Sequence, residues 1–86
     1  MNLKREFVLR EIAGDLLLVP TGKTALDLNG MLTLNNVGAD IWNMLPEVKD
    51  EEEIVQRLLQ EYEATAEEIR PDVNAFINKL RELNII

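Results

Sequence analysis

The hydrophobic pattern of this chain changes its period once, within residues 30–45, which read GMLTLNNVGADIWNML. Before this stretch, apolar residues come in short alternating or continuous runs, which is the period of β-strands. After it they recur at intervals of three and four residues, which is the period of amphipathic helices. Inside it, Asn35 or Asn36 can cap a helix that Pro46 ends. The strands are therefore expected first and the helices second.

Three strands are predicted in the first part of the chain. Phe7–Ile12 alternates in hydrophobicity, and residues 16–19 form the continuous apolar run that is typical of a central strand. Residues 31–34 are uncharged and compatible with β-structure. Together they predict a small antiparallel sheet.

The segment between the second and third of these strands has two interpretations. In one, residues 24–28 form a fourth strand that turns through Asn29-Gly30 into the next strand. In the other, residues 21–30 form a long loop. The pattern does not decide between them.

Three helices are predicted after the strands. The first covers about residues 37–45, and the other two begin after Asp50 and Thr65, each followed three residues later by a Glu in a capping-box pattern. Pro71 is expected either to kink the third helix or to mark its first turn. Three or four strands followed by three helices predict an α+β domain with the outline of a winged helix. Its core behind the sheet is hypothesised to contain Trp42, Leu58, Phe76 and Leu80.

The length and composition limit what the chain can do. With 86 residues, we expect a single domain that spans residues 1–86. The sequence contains no Cys, His or Ser, so we expect no catalysis, no metal site and no cofactor. No apolar run approaches the roughly 20 residues that cross a bilayer, and the N-terminus has charges where a signal peptide is apolar. The expected location is therefore the cytoplasm, without membrane contact.

The net charge of −7 argues against a nucleic-acid partner. Most of the excess acidity lies in residues 49–69, which is typical of a solvated helix face with acidic first turns. A DNA-binding domain needs a basic face that neutralises several phosphates. A winged-helix transcription regulator is therefore kept as an alternative, which a gel shift at low salt would test.

The uncharged strand at residues 31–34 is a candidate peptide-binding edge. It lacks the Lys or Pro residues that protect free sheet edges, so it lies either inside the sheet or at an edge that accepts a peptide strand. Because side chains alternate along a strand, Leu32 and Leu34 are expected to face the core. Met31 and Thr33 are then expected on the other face.

A set of short motifs, in one order and spacing, carries a family resemblance: residues 7–20, Leu34-Asn35, Val37-Gly38, Ile41-Trp42, Leu45, residues 53–55, Leu58-Leu59, Tyr62, Asp72-Val73, Phe76-Ile77, Leu80 and Leu83. On these residues the chain resembles the pyrroloquinoline quinone biosynthesis protein D family, from about Phe7 to Ile86. Many members have an aromatic residue just before the Leu-Asn pair, where this chain has Leu32 and Thr33. The pathway that the protein serves is therefore open, and need not be quinone biosynthesis.

The resemblance implies a RiPP recognition element, a non-catalytic domain that binds the leader segment of a ribosomally made precursor peptide. In that family the leader adds as a strand to the sheet edge, in a groove between the third strand and the third helix. The domain then delivers the precursor to a modifying enzyme, often a radical S-adenosylmethionine protein. An assembly subunit that binds an enzyme but no peptide is the alternative, and a homodimer is left open. Carried to this chain, the peptide-binding strand comprises Met31, Leu32, Thr33 and Leu34.

One flank of the third helix is expected to border this groove. At 100° per residue, one side of its apolar stripe is lined by Arg70, Asn74, Ile77 and Arg81. We hypothesise that the two arginines pair there with acidic side chains of a leader. Lys79 lies on the opposite flank and serves as the internal control.

Overall fold

The strands precede the long helices in the structure, a computed structural model that describes residues 1–27 and 30–86. The strands are β1 (Phe7–Ile12), β2 (Asp15–Pro20) and β3 (Leu32–Leu34), and a short helix α1 (Gly22–Asp27) lies between β2 and β3. They are followed by α2 (Asn36–Met44), a 3-10 turn (Leu45–Glu47), α3 (Glu51–Glu61) and α4 (Ala66–Glu82). The predicted α+β class, a small antiparallel sheet followed by helices, is confirmed.

The three strands form an antiparallel sheet in the order β1-β2-β3, so β2 is central, as its apolar run predicted. β1 and β2 are joined by the turn Ala13-Gly14, whose residues have φ values of 53° and 86°. Two consecutive positive φ values give the tight hairpin turn that matches the twist of the flanking strands. β3 pairs with β2 along one side, which makes it an edge of the sheet.

The segment between β2 and β3 differs from both predictions. Residues 22–27 form helix α1, neither a strand nor a loop, whereas the predicted turn at Asn29 lies outside the described residues. α1 is held by a contact distant in sequence: Thr24, only 5% exposed, accepts through its hydroxyl a hydrogen bond from the backbone N–H of Glu6 at 2.8 Å. A pattern read along the segment alone does not reveal this contact.

Side-chain caps begin the three long helices where the sequence predicted them. Asn35, Asp50 and Thr65 each accept a hydrogen bond from the backbone N–H three residues further on, at 2.7, 3.0 and 3.3 Å. Pro71 lies inside α4, which begins at Ala66, so it does not mark the first turn of that helix. Among the residues that the structure describes, no helix is long and apolar enough to cross a membrane.

A hydrophobic core lies between the helices and one face of the sheet. Of the four residues predicted there, Trp42, Leu58 and Leu80 are buried, and Phe76 is half-buried against them. The Trp42 ring meets Phe7 of β1 edge-on, with the ring centroids 6.1 Å apart. This contact packs α2 against the core face of the sheet.

Candidate functional site

β3 is an edge strand without charge. Its sequence is LTL, whereas the other edge strand, β1, carries Arg10 and Glu11. Leu32 and Leu34 are half-buried against the core and Thr33 is exposed, which confirms the predicted alternation. Within the described residues, 1–27 and 30–86, no strand pairs with the outer side of β3. This edge also lacks the charged side chains by which such edges are usually protected.

The first turn of α2 lies between β3 and α4. A Cβ atom built on Gly38 of α2 would lie 3.5 Å from the Cβ of Leu34 in β3 and 3.6 Å from the Cε1 of Phe76 in α4. Because Gly38 has no side chain, both neighbours approach the same point of the α2 backbone. These three residues form an apolar strip beside the β3 edge, which we call the β3–α4 seam.

Helical geometry decides which flank of α4 lies along this seam. At 100° per residue, Asp72, Lys79 and Leu83 lie on the same side of α4 as Phe76. Leu83 is half-buried against the core, and the two charged residues are exposed. Neither Asp72 nor Lys79 makes an ion pair with another described residue. This flank therefore combines apolar surface with one unpaired anion and one unpaired cation.

The predicted arginines lie on the other flank of α4, against α3. Arg70 forms a bidentate ion pair with Glu52, in which Nη2 and Oε1 are 2.9 Å apart. Arg81 pairs with Glu51 at 3.2 Å. The hydrogen bond from Arg70 holds the pKa of the Glu52 carboxyl below its usual value. The two ion pairs tie α4 to the first turn of α3.

The structure therefore separates the predicted site residues into three places. Met31, which is 55% exposed, lies with β3 at the sheet edge. Arg70, Asn74 and Arg81 line a cleft formed with the start of α3 and the first and last residues of the chain. Ile77 is fully buried in the core, where it is inaccessible to a ligand. The flank that carries the two arginines faces α3 and not β3.

Sequence reasoning missed Gly38 and Phe76 as seam residues and assigned Lys79 to the control flank. Helix periodicity defines an apolar stripe and its two flanks, but not which neighbouring element covers each flank. One signal was available: the acidic pair Glu51 and Glu52 opens α3 and offers intramolecular partners for the two arginines.

Away from the seam, one polar contact ties α2 to the end of α3. The hydroxyl of Tyr62 donates a hydrogen bond to the carboxylate of Asp40. This hydrogen bond, with a further contribution from desolvation, raises the pKa of Tyr62 to about 12. In the part of the chain that the structure describes, no three Asp or Glu residues are grouped so that they could hold a metal ion.

The fold and the edge strand together define a class of protein: a small α+β domain with an uncharged sheet edge open beside a helix. The model of the family described as coenzyme PQQ synthesis protein D (PqqD) matches residues 17–86, which include most of β2, β3 and helices α1 to α4. The chain belongs to this family, as its motifs indicated.

A solved structure of TbiB1 in complex with the TbiA(beta) leader peptide is similar to this chain. The match covers 99% of this chain and 93% of that one, with 25% sequence identity and a TM-score of 0.71. The likeness therefore extends over the strands and the helices alike. A comparison with the curated proteins finds no match.

Proposed function

We propose that this protein is a non-catalytic adaptor that binds the leader segment of a ribosomally synthesised precursor peptide by strand addition to β3. One observation carries the proposal: β3 is an unpaired, uncharged edge with an apolar seam beside it. An edge strand presents a row of N–H and C=O groups with which an extended peptide can pair. β1, the other edge, is a poorer template because it carries Arg10 and Glu11.

Two findings support a peptide partner. The chain belongs to the PqqD family. TbiB1, a chain of similar fold, was solved with a leader peptide bound. Without Cys, His or Ser, the chain lacks the side chains that most often act as nucleophile or general base. The chemistry on the precursor then falls to a separate modifying enzyme, to which the adaptor presents it. A radical S-adenosylmethionine protein is the class of enzyme that the family resemblance implies.

The seam indicates which peptide would fit. A strand added to β3 places alternate side chains on the core side of the extended sheet. There they meet Leu34 and Phe76, so apolar side chains are favoured at those positions. Lys79, on the same flank of α4, favours an acidic side chain next to them.

Proline substitution along β3 tests strand addition. Proline removes one backbone N–H, which an edge strand tolerates where that N–H points away from the sheet. Because N–H groups point alternately to the two sides of a strand, Thr33→Pro should behave oppositely to Leu32→Pro and Leu34→Pro. The proline variants whose lost N–H pairs with β2 should lose the fold. The others should keep a cooperative urea melt and lose affinity for the leader peptide in a calorimetric titration.

Thr33→Ala is the matched control, because it changes an exposed side chain and keeps the backbone N–H. Its affinity for the leader should stay close to that of the wild type. If every folded proline variant bound the leader as tightly as the wild type, strand addition to β3 would be ruled out.

A further inference from the structure

The face of the sheet that points away from the core is largely apolar and exposes several of its side chains. Val8 and Ile12 of β1 are 38% and 51% exposed, and Met31, just before β3, is 55% exposed. Leu17 and Val19 of the central strand β2 are half-buried on the same face. The register requires this arrangement, since Val8 lies opposite Val19 and residues opposite each other in paired strands point the same way.

The same face carries one cation and one anion. Arg10 lies opposite Leu17, and Asp15 lies opposite Ile12, so both charged side chains point outward. They stand on neighbouring strands, and neither makes an ion pair within the described part of the chain. Two copies can stack these faces around a two-fold axis that lies in the plane between the sheets and passes midway between Arg10 and Asp15. This axis brings each arginine to the aspartate of the other copy. The face is therefore complementary to itself.

The distribution of charge favours contact between copies through this face. Residues 1–34 contain four basic and four acidic side chains, so the net charge of −7 falls entirely on the helical part that follows β3. Two copies that met through their helices would bring like charges together. Two copies that stack sheet on sheet keep their acidic helices at opposite ends.

We propose that the outer face of the sheet is the contact surface for a second copy of this chain. The two three-stranded sheets form a sandwich, about 10 Å apart, that covers Val8, Ile12 and Met31 and pairs Arg10 with Asp15 reciprocally. Both β3 edges stay open in this dimer. The inference therefore goes beyond peptide binding and does not depend on it.

The small area of the face limits the affinity of this dimer. Two strands of six residues and one of three, with a rise of about 3.3 Å per residue and a spacing of about 4.8 Å, give a face of roughly 240 Å². A stable complex buries about 800 Å² on each partner. The dimer is therefore weak and forms at high protein concentration.

Sedimentation equilibrium of the intact chain, from about 10 µM to about 1 mM, tests the proposal. The wild type should change from monomer to dimer over this range. Ile12→Lys should weaken the dimer at least about tenfold, because it replaces an apolar side chain of the contact by a charge that would have to be buried. A urea melt shows that the variant is folded. A wild type that stays monomeric, or a dimer that Ile12→Lys leaves unchanged, would overturn the proposal.

Exchange of the two charges distinguishes this dimer from any other. Arg10→Asp makes both outward charges acidic and Asp15→Arg makes both basic, so each variant alone should dimerise more weakly than the wild type. An equimolar mixture of the two should regain the dimer, because each acidic face then meets a basic one. Glu82→Lys, at the exposed end of α4, changes the net charge as much as Asp15→Arg and should leave the dimer intact. A mixture that stays monomeric would contradict the reciprocal pairing and overturn the proposed interface.

Discussion

At the scale of single residues, two neighbours on α4 have different surroundings. Ile77 is fully buried, so its side chain can contribute only to folding. Phe76 is half-buried, and its ring reaches the point where α2 and β3 meet at Gly38. Phe76 therefore belongs both to the core and to the proposed peptide surface. The two contributions can be separated by substitution.

We expect Phe76→Ala to lower the free energy of unfolding by about 3 kcal/mol, at the low end for Phe because the ring is only half-buried. It should also weaken binding of the leader peptide. Ile77→Val, the control, should cost about 0.5–1.5 kcal/mol and leave the affinity unchanged. Urea unfolding and a calorimetric titration measure the two quantities. An unchanged affinity for the leader in Phe76→Ala would mean that the peptide does not contact the β3–α4 seam.

A second pair of residues makes the stability depend on pH. The pKa of Tyr62 is raised to about 12 by its hydrogen bond to Asp40, whereas an unfolded chain titrates its Tyr near about 10. Between these values the unfolded chain has lost a proton that the folded protein still holds. The free energy of unfolding therefore falls as the pH rises from about 10 to about 12, and the contribution of Tyr62 is fully present below that range.

Urea melts at several pH values through this range should show that fall in the wild type. Tyr62→Phe has no hydroxyl to titrate, so its stability should fall less steeply over the same range. The other side chains are the same in both proteins, so the difference between the two curves isolates Tyr62. Parallel curves would mean that Tyr62 has the same pKa in the folded and the unfolded chain.

At the scale of elements, the two flanks of α4 have different neighbours. Arg70 and Arg81 are held by acidic residues of α3, so their charges are already partnered within the chain. Lys79 lies on the flank of the seam and makes no ion pair among the described residues. An acidic side chain of a leader bound at β3 would therefore meet Lys79 before it met either arginine.

We expect Lys79→Glu to weaken leader binding by a few-fold, since an exposed ion pair contributes only about 0.2–1 kcal/mol. The effect should shrink as salt is added, because salt screens exposed charges. Arg81→Glu is the control for the change of charge and should leave the affinity nearly unchanged. Titrations at low and high salt compare the two variants. A larger loss of affinity in Arg81→Glu than in Lys79→Glu would indicate that the peptide binds in the cleft beside α3.

At the scale of the whole molecule, the chain has a neutral sheet and an acidic helical layer. The sheet has one face in the core, one open apolar face and one uncharged edge, all within residues 1–34. The helical layer carries the net charge of −7. A phosphate backbone that approached the helices would meet like charge, which disfavours a DNA-binding role for them. Contacts with a peptide or a second copy are therefore expected at the sheet.

The sequence by itself determined the elements whose physical cause is local. The long helices begin directly after their caps Asn35, Asp50 and Thr65, because a side-chain cap acts within three residues. The apolar run of β2 correctly indicated the central strand, because continuous apolar runs are typical of strands in the middle of a sheet. Alternation along β3 correctly assigned the faces of Leu32 and Leu34, since a strand has a period of two.

Only the tertiary structure decided the features that depend on distant partners. α1 was missed because Thr24 is held by Glu6, which directly precedes β1 and is distant from Thr24 in sequence. The arginine flank of α4 was expected to border β3, because a helical period is the same whichever element packs beside it. Ion pairs with Glu51 and Glu52 turn that flank towards α3, and Gly38 lets Phe76 approach β3. Periodicity gives each side chain a direction on its own element, whereas packing decides what lies in that direction.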